Sequence, residues 1–302
     1  MLQFQSIGII GATSLVGDCL LPLVIDKGRN VFAFSRTPHQ QNETGVFWLT
    51  HQKIDTLSSQ DKTDPKLPEV GNIPFWVCLA PVWVLPDYFE VMKQSGIQRV
   101  VALSSTSRFT KHQSSDDAER ELVKRIEDAE SRLQMWAETE HIEWVILRPT
   151  LIYGLGKDKN IAEITRLIRR WGVFPLMGKA EGARQPLHAE DVAQAMLSAL
   201  SSTTAKNKSY NISGAETLSY KDMIERVFAG LGRKPCFVNL PLSLMRLLIG
   251  ILSIIPRYRH WTPAMVERMN QNLAFDHAEA SRDFNFKPRP FKLEVNDLPA
   301  ES

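Results

Sequence analysis

Two glycines bracket a serine in Gly11-Ala-Thr-Ser14-Leu-Val-Gly17, directly after the apolar run Ile7 to Ile10. Strand, glycine turn and then an apolar, helix-compatible segment (Leu15 to Ile25) is the order in which an α/β chain presents backbone N–H groups and a helix N-terminus to a pyrophosphate. Gly11 makes the tight turn and Gly17 lets the helix lie close to the strand. Ser14 stands where a further glycine would give the phosphates their closest approach, so the motif is G-x-x-S-x-x-G. Its Cβ predicts a backbone held slightly off the pyrophosphate and its hydroxyl a donor toward it. An ordinary βα turn of small residues would look the same. Asn30-Val-Phe-Ala-Phe-Ser35 then reads as a second strand, with Arg36 just past its end. In a dinucleotide fold this position faces the adenosine ribose. An acidic side chain there would bond the 2′-hydroxyl of NAD, whereas an arginine pairs with the 2′-phosphate of NADP. Ser35 and Arg36 therefore favour NADP, with NAD still open, and a solvated loop arginine is the alternative.

The elements that must hold these residues alternate. Val46 to Leu49 reads as a short strand, and residues 50–74 as a polar, proline-punctuated surface loop. Phe75 to Ala80 is a continuous apolar run of the kind buried on both faces of a parallel sheet, closed by Pro81. A helix over Asp87 to Ser95 stops at Gly96, and Arg99 to Ser104 is the next buried strand. The longest helix spans Asp116 to Glu138, with an apolar stripe of Leu122, Ile126, Ala129, Leu133, Trp136 and Ala137. Trp144 to Pro149 is another central strand. Such alternation implies right-handed βαβ crossovers and a doubly wound parallel sheet. Beyond Thr150 come a glycine-rich loop (Gly154 to Gly156), helices over 160–171, up to Leu200 and over 220–231, and short strands at 185–188 and 209–213.

Composition narrows the classes. With 302 residues, 43% hydrophobic and 23% charged, the chain is a globular protein of one large or two modest domains. A net charge of +2 gives no reason to expect nucleic acid. Arg166, Arg169 and Arg170 read as a solvated helix face. Cys19, Cys78 and Cys236 are far apart, lack metal-ligand spacing and fit a reduced cytoplasmic compartment, and a first strand this early predicts no signal or transit peptide. The run from Leu240 to Ile255 is too short and too interrupted to span a bilayer; it reads as a buried or partly exposed helix, with peripheral contact to a membrane or membrane complex as the minor alternative.

In order and spacing, several stretches resemble one family, the extended short-chain dehydrogenase/reductases of the NAD-dependent epimerase/dehydratase-like branch. They are the Gly11 to Gly17 turn, Leu103-Ser104-Ser105-Thr106, Leu147-Arg148-Pro149 to Gly154, Arg184-Gln-Pro-Leu-His188 to Ala193, and Tyr210 to Gly214 with Leu218-Ser219-Tyr220. The resemblance covers nearly the whole chain. It implies a Rossmann domain over 1–153 and a smaller substrate domain over 154–302, with 187–213 returning to the Rossmann side. It also implies cofactor contacts from Gly11, Ala12, Thr13, Ser14, Leu15, Val16, Gly17, Ser35, Arg36, Leu79, Ala80, Ser104 and Pro149.

In that family a Ser or Thr after the fifth strand and a Tyr-x-x-x-Lys on the next helix carry the chemistry. The tyrosine exchanges a proton with the substrate alcohol, and the lysine one turn on lowers its pKa and holds the nicotinamide ribose. Thr106 matches the Ser/Thr. Counted from Glu130 and the Arg148-Pro149 strand, the tyrosine and lysine positions fall at Leu122 and Ile126, and neither side chain carries a proton. The literal Tyr153-Gly-Leu-Gly-Lys157 crosses a glycine loop and reads as coincidence. Thr106 and Tyr153 are the remaining catalytic candidates. His188 and Asp191 read as framework, Arg184 as a phosphate contact or framework, and His112 and His141 as solvent-facing. Two functions follow from the resemblance. One is an NADP-preferring oxidoreductase or epimerase with a non-standard site, acting on an alcohol/ketone or nucleotide-sugar-like small molecule. The other is a non-catalytic dinucleotide-binding protein of structural, assembly or redox-sensing role, similar to the accessory NADPH-binding subunit of respiratory complex I.

Overall fold

The structure is a computed structural model that describes residues 6–26, 28–36, 45–50, 72–241 and 268–300. In its first half the chain runs β1 (Ser6–Ile10), α1 (Leu15–Ile25), β2 (Asn30–Ser35), β3 (Val46–Thr50), β4 (Phe75–Cys78), a 3-10 helix (Val82–Tyr88), α2 (Phe89–Gln94), β5 (Arg99–Leu103), α3 (Ser107–Thr110), α4 (Asp117–Thr139) and β6 (Glu143–Pro149). There follow β7 (Ile152–Tyr153), α5 (Ile161–Trp171), β8 (Phe174–Met177), β9 (Ala183–Arg184), β10 (Leu187–His188) and α6 (Ala189–Ser201). The last labelled elements are β11 (Lys208–Ile212), β12 (Leu218–Ser219), α7 (Tyr220–Gly230), β13 (Phe237–Leu240) and α8 (Ala278–Phe284).

The apolar runs form one seven-stranded sheet in the order β11-β6-β5-β4-β1-β2-β3, every neighbouring pair parallel. The α/β doubly wound architecture read from the alternation is therefore the observed one, and β11 extends the sheet from the second half of the chain. Strand order reverses between β1 and β4, the place where open α/β sheets leave a crevice at the carboxyl ends of their strands. Both faces are covered, so the strands carry continuous apolar sequence. On one face α1 and α6 lie over Ile7, Ile9, Val77 and Val145; on the other, Leu85, Met92, Ile126 and Leu133 pack on Ile10, Cys78, Val100 and Ile146. A separate core of Ile161, Phe174, Ile224, Phe228 and Phe291 forms the smaller lobe.

Several local readings change. The 3-10 helix over Val82–Tyr88 precedes the expected helix, which shortens to α2. Pro81 and Pro86 set the backbone there, and Pro86 removes an N–H that a continuous α-helix would need. Between α5 and β9 a further strand forms: β8 pairs in parallel with β13, joining segments far apart in sequence, which local pattern cannot foresee. The 50–74 loop and the 240–255 run lie almost wholly outside the described residues. Among the described residues no helix is long and apolar enough to cross a membrane.

The long helix α4 buries Ile126, Ala129, Leu133 and Ala137 of the expected stripe, leaves Leu122 and Trp136 partly buried, and buries Val123 and Glu130 as well. That carboxylate is 1% exposed. It accepts from Arg148 Nε at 3.0 Å and Nη2 at 2.6 Å, from Arg108, and from the Ser104 hydroxyl. One side chain thus ties α4 to β6, to the end of β5 and to α3. Removing one partner of a buried, hydrogen-bonded ion pair strands the others, a cost of about 3–5 kcal/mol. Glu130→Ala is expected to lower the unfolding free energy by about 3 kcal/mol, measured by urea denaturation. A loss below about 1 kcal/mol would show that this cluster does not hold the sheet to the helix.

Candidate functional site

Gly11 ends β1 with φ +80°, and its amide donates to the Phe34 carbonyl of β2 at 3.2 Å. A Cβ at this position would lie 2.5 Å from the Ala80 backbone nitrogen, because the amides of Leu79 and Ala80 both donate to the Ile10 carbonyl, at 2.8 and 3.2 Å. The ends of β1 and β4 are thereby pinned together at the crevice. Gly17 is needed for another reason: its Cβ would lie 2.1 Å from the Ala12 carbonyl oxygen. Ala12 is buried and Thr13 exposed.

Ser14 is the N-cap of α1, its hydroxyl accepting from the Gly17 amide at 3.1 Å. The hydroxyl thus accepts inward as well as having a hydrogen to donate. Its oxygen satisfies one of the amides left open at a helix start, while its hydrogen stays available. The amides of Leu15 and Val16 make no hydrogen bond among the described residues. They supply the pair of open donors that an anion at a helix N-terminus takes. Ser35 is buried at the end of β2, and Arg36 is exposed just beyond it, on the same rim as Gly11.

The catalytic candidates are placed less favourably. Thr106 is 7% exposed, and its hydroxyl donates to the Pro149 carbonyl at 2.9 Å, beside its own amide at 3.1 Å. Its proton is committed to backbone, and Pro149 serves as that acceptor. Ser104 points its hydroxyl at Glu130. Tyr153 is fully buried, edge-on to His188 and to Phe291 with centroids at 5.1 and 4.9 Å, and its hydroxyl lacks a well-formed hydrogen bond. Burial, reinforced by the Asp297 charge, raises its pKa well above that of a free tyrosine. The structure therefore does not bring Thr106 and Tyr153 together as an open acid–base pair. Ile126 is buried and Leu122 partly buried in the helix–sheet core. Lys157 does not approach the Tyr153 hydroxyl as a partner; it pairs with Asp18 on α1 at 2.5 Å.

Three residues of the second half prove architectural. Arg184, buried, donates to the carbonyls of Ala183, Gln271 and Arg268 and lies over the Tyr220 ring. Burial pushes its pKa down to about 10. The Glu190 amide donates to His188 Nδ1 at 3.2 Å, capping α6, so that Nε2 carries the hydrogen and donates to Asp297 Oδ1 at 2.9 Å. Asp191 accepts from the Arg289 amide at 2.8 Å and its Nε at 2.9 Å. Together His188 and Asp191 fasten the C-terminal strap, residues 286–298, across the start of α6. His112 meets Glu127 at 3.2 Å.

Sequence reasoning missed Glu130, Arg108, Asp297 and Arg268 as organising residues. A carboxylate within the apolar stripe was the available signal for Glu130; Asp297 and Arg268 act across long sequence separations and offered none. Among the described residues no cluster of His, Cys, Asp or Glu could hold a metal ion. Arg268 instead pairs with Glu119, which also meets Lys111 at 2.9 Å and the Ser114 hydroxyl at 2.7 Å. This lies at the mouth of a cavity between the end of α3 with the loop after it and residues 268–273.

A parallel sheet with its crevice at a glycine turn and an open helix N-terminus defines a Rossmann-type α/β protein. Residues 87–213 match the model of the NAD dependent epimerase/dehydratase family. The UDP-glucose 4-epimerase of Vibrio cholerae is 20% identical over 161 residues, 53% of this chain and 47% of that protein. An Arabidopsis thaliana mitochondrial protein, NADH dehydrogenase [ubiquinone] 1 alpha subcomplex subunit 9, is 25% identical over 105 residues, 34% of this chain and 26% of that protein. The chain thus spans half or less of the length of these curated relatives. Among solved structures, the UDP-glucuronic acid 4-epimerase from Bacillus cereus in complex with NAD superposes with a TM-score of 0.67 at 16% identity, covering 97% of this chain and 95% of that one. That likeness is one of fold.

The strap supplies a pH test. Burial alone would raise the Asp297 pKa, but the His188 hydrogen bond and the amides of Glu294 and Leu155 outweigh it and hold the carboxyl below the usual range. A folded pKa below the unfolded value of about 3.9 contributes stability above that pH and loses it as the pH falls further. Asp297→Asn should therefore lower the denaturation midpoint at neutral pH and flatten its fall below about pH 4. A variant that keeps the wild-type pH slope would remove this role.

Proposed function

We propose that the chain binds a nicotinamide dinucleotide at the β1–α1 turn, preferring NADP(H) through Arg36. On this reading it is an atypical short-chain dehydrogenase/reductase-like protein acting on an alcohol/ketone or nucleotide-sugar-like small molecule through a non-standard site. The observation that carries it is the pair of open Leu15 and Val16 amides beside the Gly11 turn, at the strand-order reversal. The bound cofactor would supply hydride transfer. The residues of this chain divide the work of holding it: the Leu15 and Val16 amides and the Ser14 hydroxyl take the pyrophosphate, Arg36 takes the 2′-phosphate, and Leu79, Ala80 and Pro149 line the crevice. The NAD complex of the Bacillus cereus epimerase supports a nicotinamide dinucleotide as such; the choice of NADP rests on Arg36. We assign the cytoplasm as the working compartment, in keeping with the buried Cys19 and Cys78 thiols, both pushed up to about 12 by burial.

A second reading is favoured by one specific set of observations. With Thr106 hydrogen-bonded to backbone, Tyr153 buried, and Leu122 and Ile126 packed in the core, the described residues offer no acid–base pair beside the crevice. A non-catalytic dinucleotide-binding protein of structural, assembly or redox-sensing role fits that arrangement. The partial likeness to a subunit of NADH dehydrogenase is in keeping with it. In a structure with NADPH bound, an ionisable side chain within hydrogen-bond reach of the nicotinamide C4 region supports the catalytic reading, and its absence the second.

Calorimetric titration with NADPH and NADH tests the cofactor assignment. NADPH should bind more tightly than NADH, and Arg36→Ala should weaken NADPH about tenfold, roughly 1.4 kcal/mol, while leaving NADH unchanged. Equal affinities in the wild type would remove the role of Arg36.

A further inference from the structure

The cavity between the two lobes is walled by the end of α3 and the loop after it on one side and residues 268–273 on the other, with a volume of about 360 Å³. That is the small end of the range for ligand sites. The described part of the wall is polar and open to solvent at Gln113, Ser115 and Gln271. The side-chain amides of Gln113 and Gln271 and the hydroxyls of Thr110 and Ser115 line the cavity and make no hydrogen bond among the described residues. Phe109 adds an aromatic ring that is 47% exposed. The guanidinium groups of Arg108 and Arg148 lie 5.3 and 5.5 Å from its centre, and Phe275 lies 5.8 Å away. The ring is thus fixed as a shelf.

The cations nearby are engaged. Among the described residues Arg268 is the one charged residue of the lining, and it faces Glu119, as does Lys111. Arg184 is saturated by backbone carbonyls, and Arg108 and Arg148 converge on Glu130. The Lys111–Glu119–Arg268 group carries a single net positive charge and places a carboxylate against the arginine. A diphosphate entering there would have to compete with Glu119 for Arg268 and meet its repulsion.

We propose that this cavity takes a small, uncharged ligand bearing hydroxyl and amide groups, seated against Phe109, and that it does not accommodate a nucleoside diphosphate. This rests on the reading that the cleft binds a small molecule, and it narrows that reading to the alcohol/ketone class. Unpaired amides and hydroxyls recognise such groups by replacing their water, and an exposed aromatic face covers the apolar side of a ring.

The test uses the full chain, titrated by ligand-observed NMR and calorimetry with glucose, N-acetylglucosamine, UDP and UDP-N-acetylglucosamine, with NADPH binding measured in the same samples. At least one neutral sugar should bind, more tightly than UDP, and should lose about tenfold affinity in Phe109→Ala and in Gln271→Ala, each still binding NADPH. Glu119→Gln should raise UDP affinity by freeing Arg268. Binding of UDP or UDP-N-acetylglucosamine tenfold tighter than either sugar would overturn the proposal, as would failure of both sugars to bind. Loss of NADPH binding by the wild type would instead remove the cofactor reading, independently of the sugars.

Discussion

A carboxylate with almost no access to water must find its partners inside the protein, and Glu130 finds them on three different elements. Its oxygens are met by Arg148 of β6, Arg108 of α3 and the hydroxyl that ends β5. Desolvating such a charge is costly unless its lone pairs are filled, so the helix has no freedom to rotate or slide without exposing a large penalty. This constraint sets the azimuth of α4. With Glu130 turned toward the sheet ends, Ile126 one turn earlier is turned inward too, into the layer with Leu133 and Met92. The place at which a proton-carrying pair would stand is therefore occupied by hydrocarbon, in a helix whose orientation is held by charge.

The second organising constraint is the return of the chain. The last described segment crosses from the small lobe back over α6 and is fastened by His188 to Asp297 and by Asp191 to Arg289. Arg184 does the same for residues 268–271 by filling their carbonyls. Groups that looked like reagents in isolation are thus the fasteners between lobes. They leave the interlobe cavity with amides and hydroxyls as its open chemistry, and leave the β1–α1 turn as the place where backbone donors face outward.

Much of the sheet was legible in the chain because the strands are buried on both faces and read as unbroken apolar runs. The glycine turn was legible because Gly11 and Gly17 answer to steric demands that only a missing Cβ meets. Leu122 and Ile126 could be placed by counting along one helix. The function of Ser14 was half legible: its type suits a phosphate donor and an N-cap equally, and only the 3.1 Å bond to Gly17 shows that it caps. Thr106, Tyr153 and Arg184 could not be judged at all from local pattern. Whether a hydroxyl is available depends on which carbonyl, Pro149 in one case, lies opposite it, and that carbonyl comes from another strand.

By itself, then, the sequence determined the α/β alternation, the glycine turn, the arginine just after β2 and the hydrocarbon side chains at 122 and 126. Each of these is read within one strand–turn–helix unit or from a succession of such units, where spacing along the chain is spacing in space. The tertiary structure decided which polar side chains remain available. Glu119 with Arg268, Glu130 with Arg148, and His188 with Asp297 meet across gaps of 149, 18 and 109 residues. A charge or a hydroxyl has no fixed chemistry until burial and its partner are set, and those are properties of packing between elements, not of any one of them.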